Sequence, residues 1–215
     1  MRQATTDCSI FFRSKAYCYE TLLATWQRFV IGQGKAVELA GRKVVLGDHT
    51  LAVKDGRKMP GVVSLHEASE TQSKPDYFRG QCWGAIGLLV GSFSACFCCP
   101  LQLQIQQGWQ HLVLTEDSGE KDPVKLAERL VIMAILFAVS HNCPCYLVLD
   151  AFFSVGSVFR VCQYYSIEHK EPWVEILVKA KSHYVGYFPA PPKQASRPGP
   201  QPFYGEKVHL QECFD

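Results

Sequence analysis

The sequence has almost no excess of charge: Lys and Arg number 22 against 20 Asp and Glu, a formal net of +2 over 215 residues. A balance this close to neutral excludes the strongly basic or acidic chain whose field alone would point to a nucleic-acid or membrane partner, although a locally basic face fits inside it. No secretory leader is expected, because "MRQATTDCSIFFRSK" does not follow the basic-then-apolar plan. The ten cysteines are therefore expected to be reduced thiols of a cytoplasmic protein. A zinc site is not expected in the tight groups "CFCC" (Cys96, Cys98, Cys99) and "CPC" (Cys143, Cys145), because no second ligand pair at metal-binding spacing and no paired histidines accompany them. Those thiols read as buried small hydrophobes rather than zinc ligands.

What is present is a soluble, globular composition, 47% hydrophobic and 20% charged, long enough for one substantial core. The uncharged run "CWGAIGLLVGSFSACFCCPL", residues 82–101, has about the ~20 residues of a bilayer helix. Gly91 and Ser92 interrupt it with turn chemistry, and "LQLQIQ" beyond Pro100 alternates. That alternation puts Leu101, Leu103 and Ile105 on one face and Gln102, Gln104 and Gln106 on the other. A β-hairpin with strands near 82–90 and 96–107 is expected, not a membrane span.

The remaining elements follow from period and punctuation. Residues 1–40 form a helical N-terminal segment, with "SKAYCYETLLATWQRFVIGQGKAVEL" as one helix or two short ones. "RKVVLGD" is a strand ending on Asp48, followed by a connection of about thirty polar residues, unusually long and so functional or mobile. After the hairpin, Asp122 caps and Pro123 opens the helix "PVKLAERLVIMAILFAVS". "CYLVLD" is the fourth strand, "SVGSVFRVCQYY" a second helix and "WVEILVKAKSH" a fifth strand. The order βββαβαβ is that of an α/β RNase H-like fold, a mixed five-stranded sheet flanked by helices. It spans residues 41–183, with a Pro-rich linker and the start of a β insertion over 184–215. The third strand is expected at the sheet edge, where Pro100 is tolerated. The first and fourth strands would be parallel neighbours, so Asp48 and Asp150, each ending an apolar run, would stand together. Two such carboxylates repel, and a divalent cation stabilises the arrangement.

Long segments also carry a family resemblance. "GDHTLAVKDGRKMPGVVSLHEASETQSKPDYFRG", "LVLDAFFSVGSVFR", "LVKAKSHYVGYFPAPP" and "YGEKVHL" resemble DDE transposases of bacterial insertion sequences, in the subgroup with a β-rich insertion before the third acid. The similarity runs from about Gly41 to the end. It implies DNA transposition by metal-dependent strand cleavage and transfer, with three carboxylates holding two Mg²⁺ or Mn²⁺ ions ~3.5–4 Å apart. Asp48 and Asp150 match the first two acids, as catalytic residues and metal ligands. The third, a glutamate in a Tyr-x-x-Arg-x-x-x-Glu pattern, has no match, and Glu168, Glu171 and Glu175 fall where the fold puts no catalytic helix. The resemblance thus implies a truncated copy, incomplete at the C-terminus and inactive alone.

Arg57, Lys58, His66, Lys74 and Arg79 are candidate DNA contacts, with Glu67 and Glu70 beside His66 as possible support for the metals; the bland reading of such a loop is a solvated surface. Departures from the family pattern are Phe152 in place of Tyr, Gln81 in place of His, and a linker with only Lys193, Arg197 and Lys207 as cations, which lowers phosphate neutralisation. The implied partners are transposon-end and target DNA, with a second copy or a full-length relative beside them, no membrane, and a cytoplasmic, nucleoid-associated location. Two alternatives stand beside this reading. One is a noncatalytic remnant that binds DNA or a full-length partner. The other is a Mg²⁺ phosphohydrolase built on Asp150, which would want a second acid where Phe152 stands. Asp150 as a mere helix cap is the structural alternative for that residue.

Overall fold

The computed structural model of the chain describes residues 18–56, 59–66, 75–92, 94–106, 126–169, 172–181, 183–192 and 202–213. Helix α1 (Tyr19–Gly32) is followed by β1 (Glu38–Leu39), β2 (Arg42–Val53), β3 (Val63–His66), β4 (Tyr77–Ser92) and β5 (Ala95–Ile105). Then come α2 (Leu126–Ser140), β6 (Cys145–Leu149), α3 (Gly156–His169), β7 (Val174–Val178), and the pair β8 (Val185–Pro189) and β9 (Tyr204–His209). Seven strands form one mixed sheet, in which β4, β2, β6 and β7 are successive neighbours. β5 and β3 lie along the far edge of β4, and β1 pairs with the start of β2. β2 is antiparallel to β4 and parallel to β6, which is parallel to β7. The fold is α/β, and the expected first and fourth strands are indeed parallel neighbours.

Three features differ from the sequence reading. The sheet gains β1 and β3, so it has seven strands rather than five among the described residues. β1 forms because Ala40 (φ 48°) and Gly41 (φ 77°) turn the chain back on itself, pairing Glu38 with Lys43, where a helix was expected. β2 does not stop at Asp48. Residues 49–53 continue the pairing with β4 as far as Val53 opposite Gly80, because "HTLAV" alternates like a strand despite its polar members. The predicted cap Asp122 and first-turn Pro123 lie outside the described residues.

The hairpin stands as expected, with β5 an edge strand carrying Pro100, but Leu101 does not share the face of Leu103 and Ile105. Pro100 pairs with Gly87 and Gln102 with Ile86, so Leu101 is the extra residue of a bulge. A one-residue slip exchanges the faces. Leu101 is buried, Leu103 is 52% exposed, and the buried Gln106 donates from Nε2 to the Met133 sulfur. The cysteines divide in the same way. Cys82, Cys143 and Cys145 are buried, and loss of water pushes the thiols of Cys82 and Cys145 up to about 11 and about 12. Cys96 and Cys98, expected to be buried, are exposed on the edge strand.

The core lies on one face of the sheet. Val45 of β2, Ile86 and Leu88 of β4, Leu147 and Leu149 of β6 and Val174 of β7 pack with α2, whose Leu130, Val131, Ala134, Ile135 and Phe137 are almost wholly buried. Each such side chain contributes about 1.5–3 kcal/mol of transfer free energy. Val30 of α1 and Val158 of α3 belong to the same cluster, so all three helices cover this face. By alternation, Val44, Leu46 and Asp48, Tyr146, Val148 and Asp150, and Leu177 occupy the opposite face. Leu46, Val148 and Leu177 stand outside the cluster, and Leu177 is 42% exposed. No described helix is long and apolar enough to cross a membrane, and residues 82–101 form the hairpin.

Candidate functional site

Asp48 sits in the middle of β2, opposite Ala85 of β4. On its other side the parallel register runs Lys43 to Cys145, Val44 to Tyr146, Val45 to Leu147 and Leu46 to Val148. The last such pair lies two residues before Asp48 on β2 and two before Asp150, the first residue past β6, and alternation puts both aspartates on the face away from the helices. The preceding Gly47 is what lets β2 run against the core here. A Cβ at that position would meet Leu149 Cδ2 at 2.8 Å and Leu130 Cδ2 at 3.2 Å.

Each carboxylate is anchored by a backbone amide through one oxygen. His49 N donates to Asp48 Oδ1 at 2.7 Å, and Phe152 N donates to Asp150 Oδ1 at 2.9 Å. Asp150 therefore does cap, as the structural alternative held, closing the 3₁₀ turn Ala151–Phe153. Capping takes one oxygen only, Oδ1. Both aspartates are exposed at the surface. The sheet nevertheless shields Asp48 on one side, and this loss of water, with the nearby Asp150 charge, raises its carboxyl above the usual range, while the His49 amide bond works against the rise.

His49 and Phe152 were not singled out from the sequence as site residues. The His49 ring points the other way from Asp48, into the core side, with its centroid 5.0 Å from that of Phe153 and 6.2 Å from that of Phe152. Burial lowers its pKa to about 4 against the opposing pull of Asp150. Both ring nitrogens are buried without a hydrogen-bond partner. The available signal was adjacency: a polar residue next to Asp48 inside an alternating run must face the core. Phe152 is 49% exposed beside Asp150.

The other expected contacts scatter. Arg57, Lys58 and Lys74, like Glu67 and Glu70, lie outside the described residues. His66 and Arg79 are exposed on β3 and β4, far along the sheet from the aspartates. Gln81 is buried and donates from Nε2 to the Pro60 carbonyl at 2.8 Å, fastening the connection between β2 and β3 across this face. Glu171 is outside the described residues, and Glu175 is taken up by Arg42 at 3.1 Å. No group of three or more His, Cys, Asp or Glu suited to a metal ion occurs among the described residues. Beyond Asp150, Tyr184 OH donates to the Ser154 carbonyl, tying the β8–β9 hairpin to the segment after the 3₁₀ turn.

The donor set suits a hard cation. Two adjacent carboxylates, each with an oxygen not used by its amide anchor, match Mg²⁺, which is commonly held by one or two carboxylates with waters and substrate phosphates completing its shell. No family model, no curated protein and no solved structure matches the chain.

Proposed function

We propose that this chain carries two of the three acids of a DDE-type DNA strand-transfer centre on an RNase H-like sheet. The observation that supports the reading is the parallel register of β2 and β6, whose last pair, Leu46 with Val148, stands two residues before each aspartate. The sheet order supports it: β5, β4, β2, β6 and β7 are the third, second, first, fourth and fifth strands of the expected layout. Bound between the carboxylates, Mg²⁺ or Mn²⁺ would neutralise charge on phosphoryl oxygens and activate a hydroxyl. The chain's own residues do the positioning. The amides of His49 and Phe152 fix the two carboxylates, Gly47 keeps β2 close to the core, and Phe153, wholly buried, holds the turn that follows Asp150. Phosphodiester substrate would lie on the sheet face that the helices leave open.

A second reading, a DNA-binding but noncatalytic form, is favoured by the absence of a third ligand among the described residues. A full-length relative or second copy would then be its partner. Anisotropy of a labelled DNA duplex tests the shared core of both readings. Binding strengthens when Mn²⁺ replaces EDTA in the wild-type chain, and the gain disappears in Asp48→Asn and Asp150→Asn. Equal binding with and without Mn²⁺ would refute the site.

A further inference from the structure

The face that bears Asp48 and Asp150 continues along β4 to a second polar cluster. The side chains of β4 on this face are, in order from the carboxylates, Ala85, Trp83, the buried Gln81, Arg79 and Tyr77, and β3 sets Ser64 opposite Arg79 and His66 opposite Tyr77. Six residues separate Ala85 from Arg79, about 20 Å of strand at ~3.3 Å each. Tyr77 is 71% exposed. Its ring rests against that of His66, centroids 4.8 Å apart and planes at 55°, so one flank is supported and much of the rest is open to solvent. Arg79 is exposed on the same face and takes part in neither ion pair among the described residues. Asp76, next to Tyr77 in sequence, is engaged in an interaction of its own. On the reverse of these strands Leu65, Phe78 and Cys82 form a small buried cluster.

We propose that Tyr77, His66 and Arg79 form a stacking platform for an unpaired nucleobase of single-stranded DNA, with Arg79 contacting the adjoining phosphate. A supported, open aromatic ring presents a π-face that any unpaired base can cover, whereas a duplex hides its base faces. The guanidinium supplies the charge that tracks the backbone. The ordering cost is small, because His66 already holds the ring. This inference rests on the DNA reading of the carboxylate pair and extends it: the same face takes a strand that has left the duplex, about 20 Å from the acids.

The test is anisotropy of a fluorescein-labelled oligothymidine, measured in EDTA so that the carboxylate pair is out of play. The wild-type chain binds this strand more tightly than the corresponding duplex. Tyr77→Ala and Arg79→Gln each weaken it, the former by roughly ten-fold or more, as loss of one stacked base does. Tyr77→Phe retains it. Circular dichroism checks that each variant folds, and Tyr77→Ser replaces any alanine variant that does not. Undiminished binding in Tyr77→Ala, no preference over duplex, or a Tyr77-dependent self-association without DNA binding overturns the platform. Mn²⁺ binding measured separately distinguishes the two ideas: intact Mn²⁺ binding with no single-strand binding sinks only the platform, while lost Mn²⁺ binding sinks the carboxylate reading.

Discussion

At the scale of single residues, the site is set by where charge and burial meet. The raised Asp48 carboxyl means that the folded state favours the protonated acid, so the charged pair costs stability above the folded pKa and the cost fades as pH falls. Asp150→Asn removes the repulsion and keeps an N-cap acceptor for Phe152 N, since Asn caps as well as Asp. In EDTA at neutral pH this variant should melt a few degrees higher, about 2–4 °C per kcal/mol for a chain of this size; an unchanged or lower Tm would contradict the pairing. His49 gives the opposite sign. Its pKa lies at about 4 rather than 6.5, so it contributes stability above pH 6.5 that is lost as pH falls toward 4. The groups beside it are Asp48, Asp150, Phe152 and Phe153. Thermal melts in EDTA should show an acid loss on the order of 2 kcal/mol, reduced for partial solvent access, that His49→Phe abolishes. Parallel pH profiles of the two proteins would remove this role.

At the scale of elements, the parallel neighbours β2 and β6 depend on close packing at Gly47. Gly47→Val should drive its side chain into Leu149 and Leu130 and cost about 1–3 kcal/mol in urea unfolding. A neutral result would mean that β2 has room to move. The pairing of β2 with β6 was legible in the sequence because "VVL" and "YLVL" are uncharged apolar runs, each leading to an aspartate, as strands of a parallel sheet do. The hairpin was legible from Gly91 and from the alternation after Pro100. The faces of β5 were not, because a bulge at Leu101 depends on how β4 twists against it, which a one-dimensional pattern does not encode. The extension of β2 past Asp48 was also hidden, since His49 and Thr50 look like a loop until Val53 is seen to pair with Gly80. Tyr77 and Arg79 were legible as polar and basic, but their shared face with His66 follows only from the register of β3.

At the scale of the whole molecule, the helices gather on one side of the sheet and the acids stand on the other. Val30, Leu130 and Val158, one from each helix, meet in one cluster, while Leu46, Val148 and Leu177 on the acid-bearing face lie outside it. That division leaves the carboxylates approachable by a polymer and without a third ligand among the described residues. On the two-acid reading proposed above, the chain alone should bind DNA and Mn²⁺ without cutting supercoiled plasmid; nicking by purified chain that vanishes in Asp150→Asn would show that two acids suffice. The most direct measurement is titration of Mn²⁺ into the wild-type chain, followed by electron paramagnetic resonance of the free ion. One saturable site is expected, lost equally in Asp48→Asn and in Asp150→Asn. Saturable binding that survives either substitution, or no binding in the wild type, would contradict the claim that these two side chains share a cation.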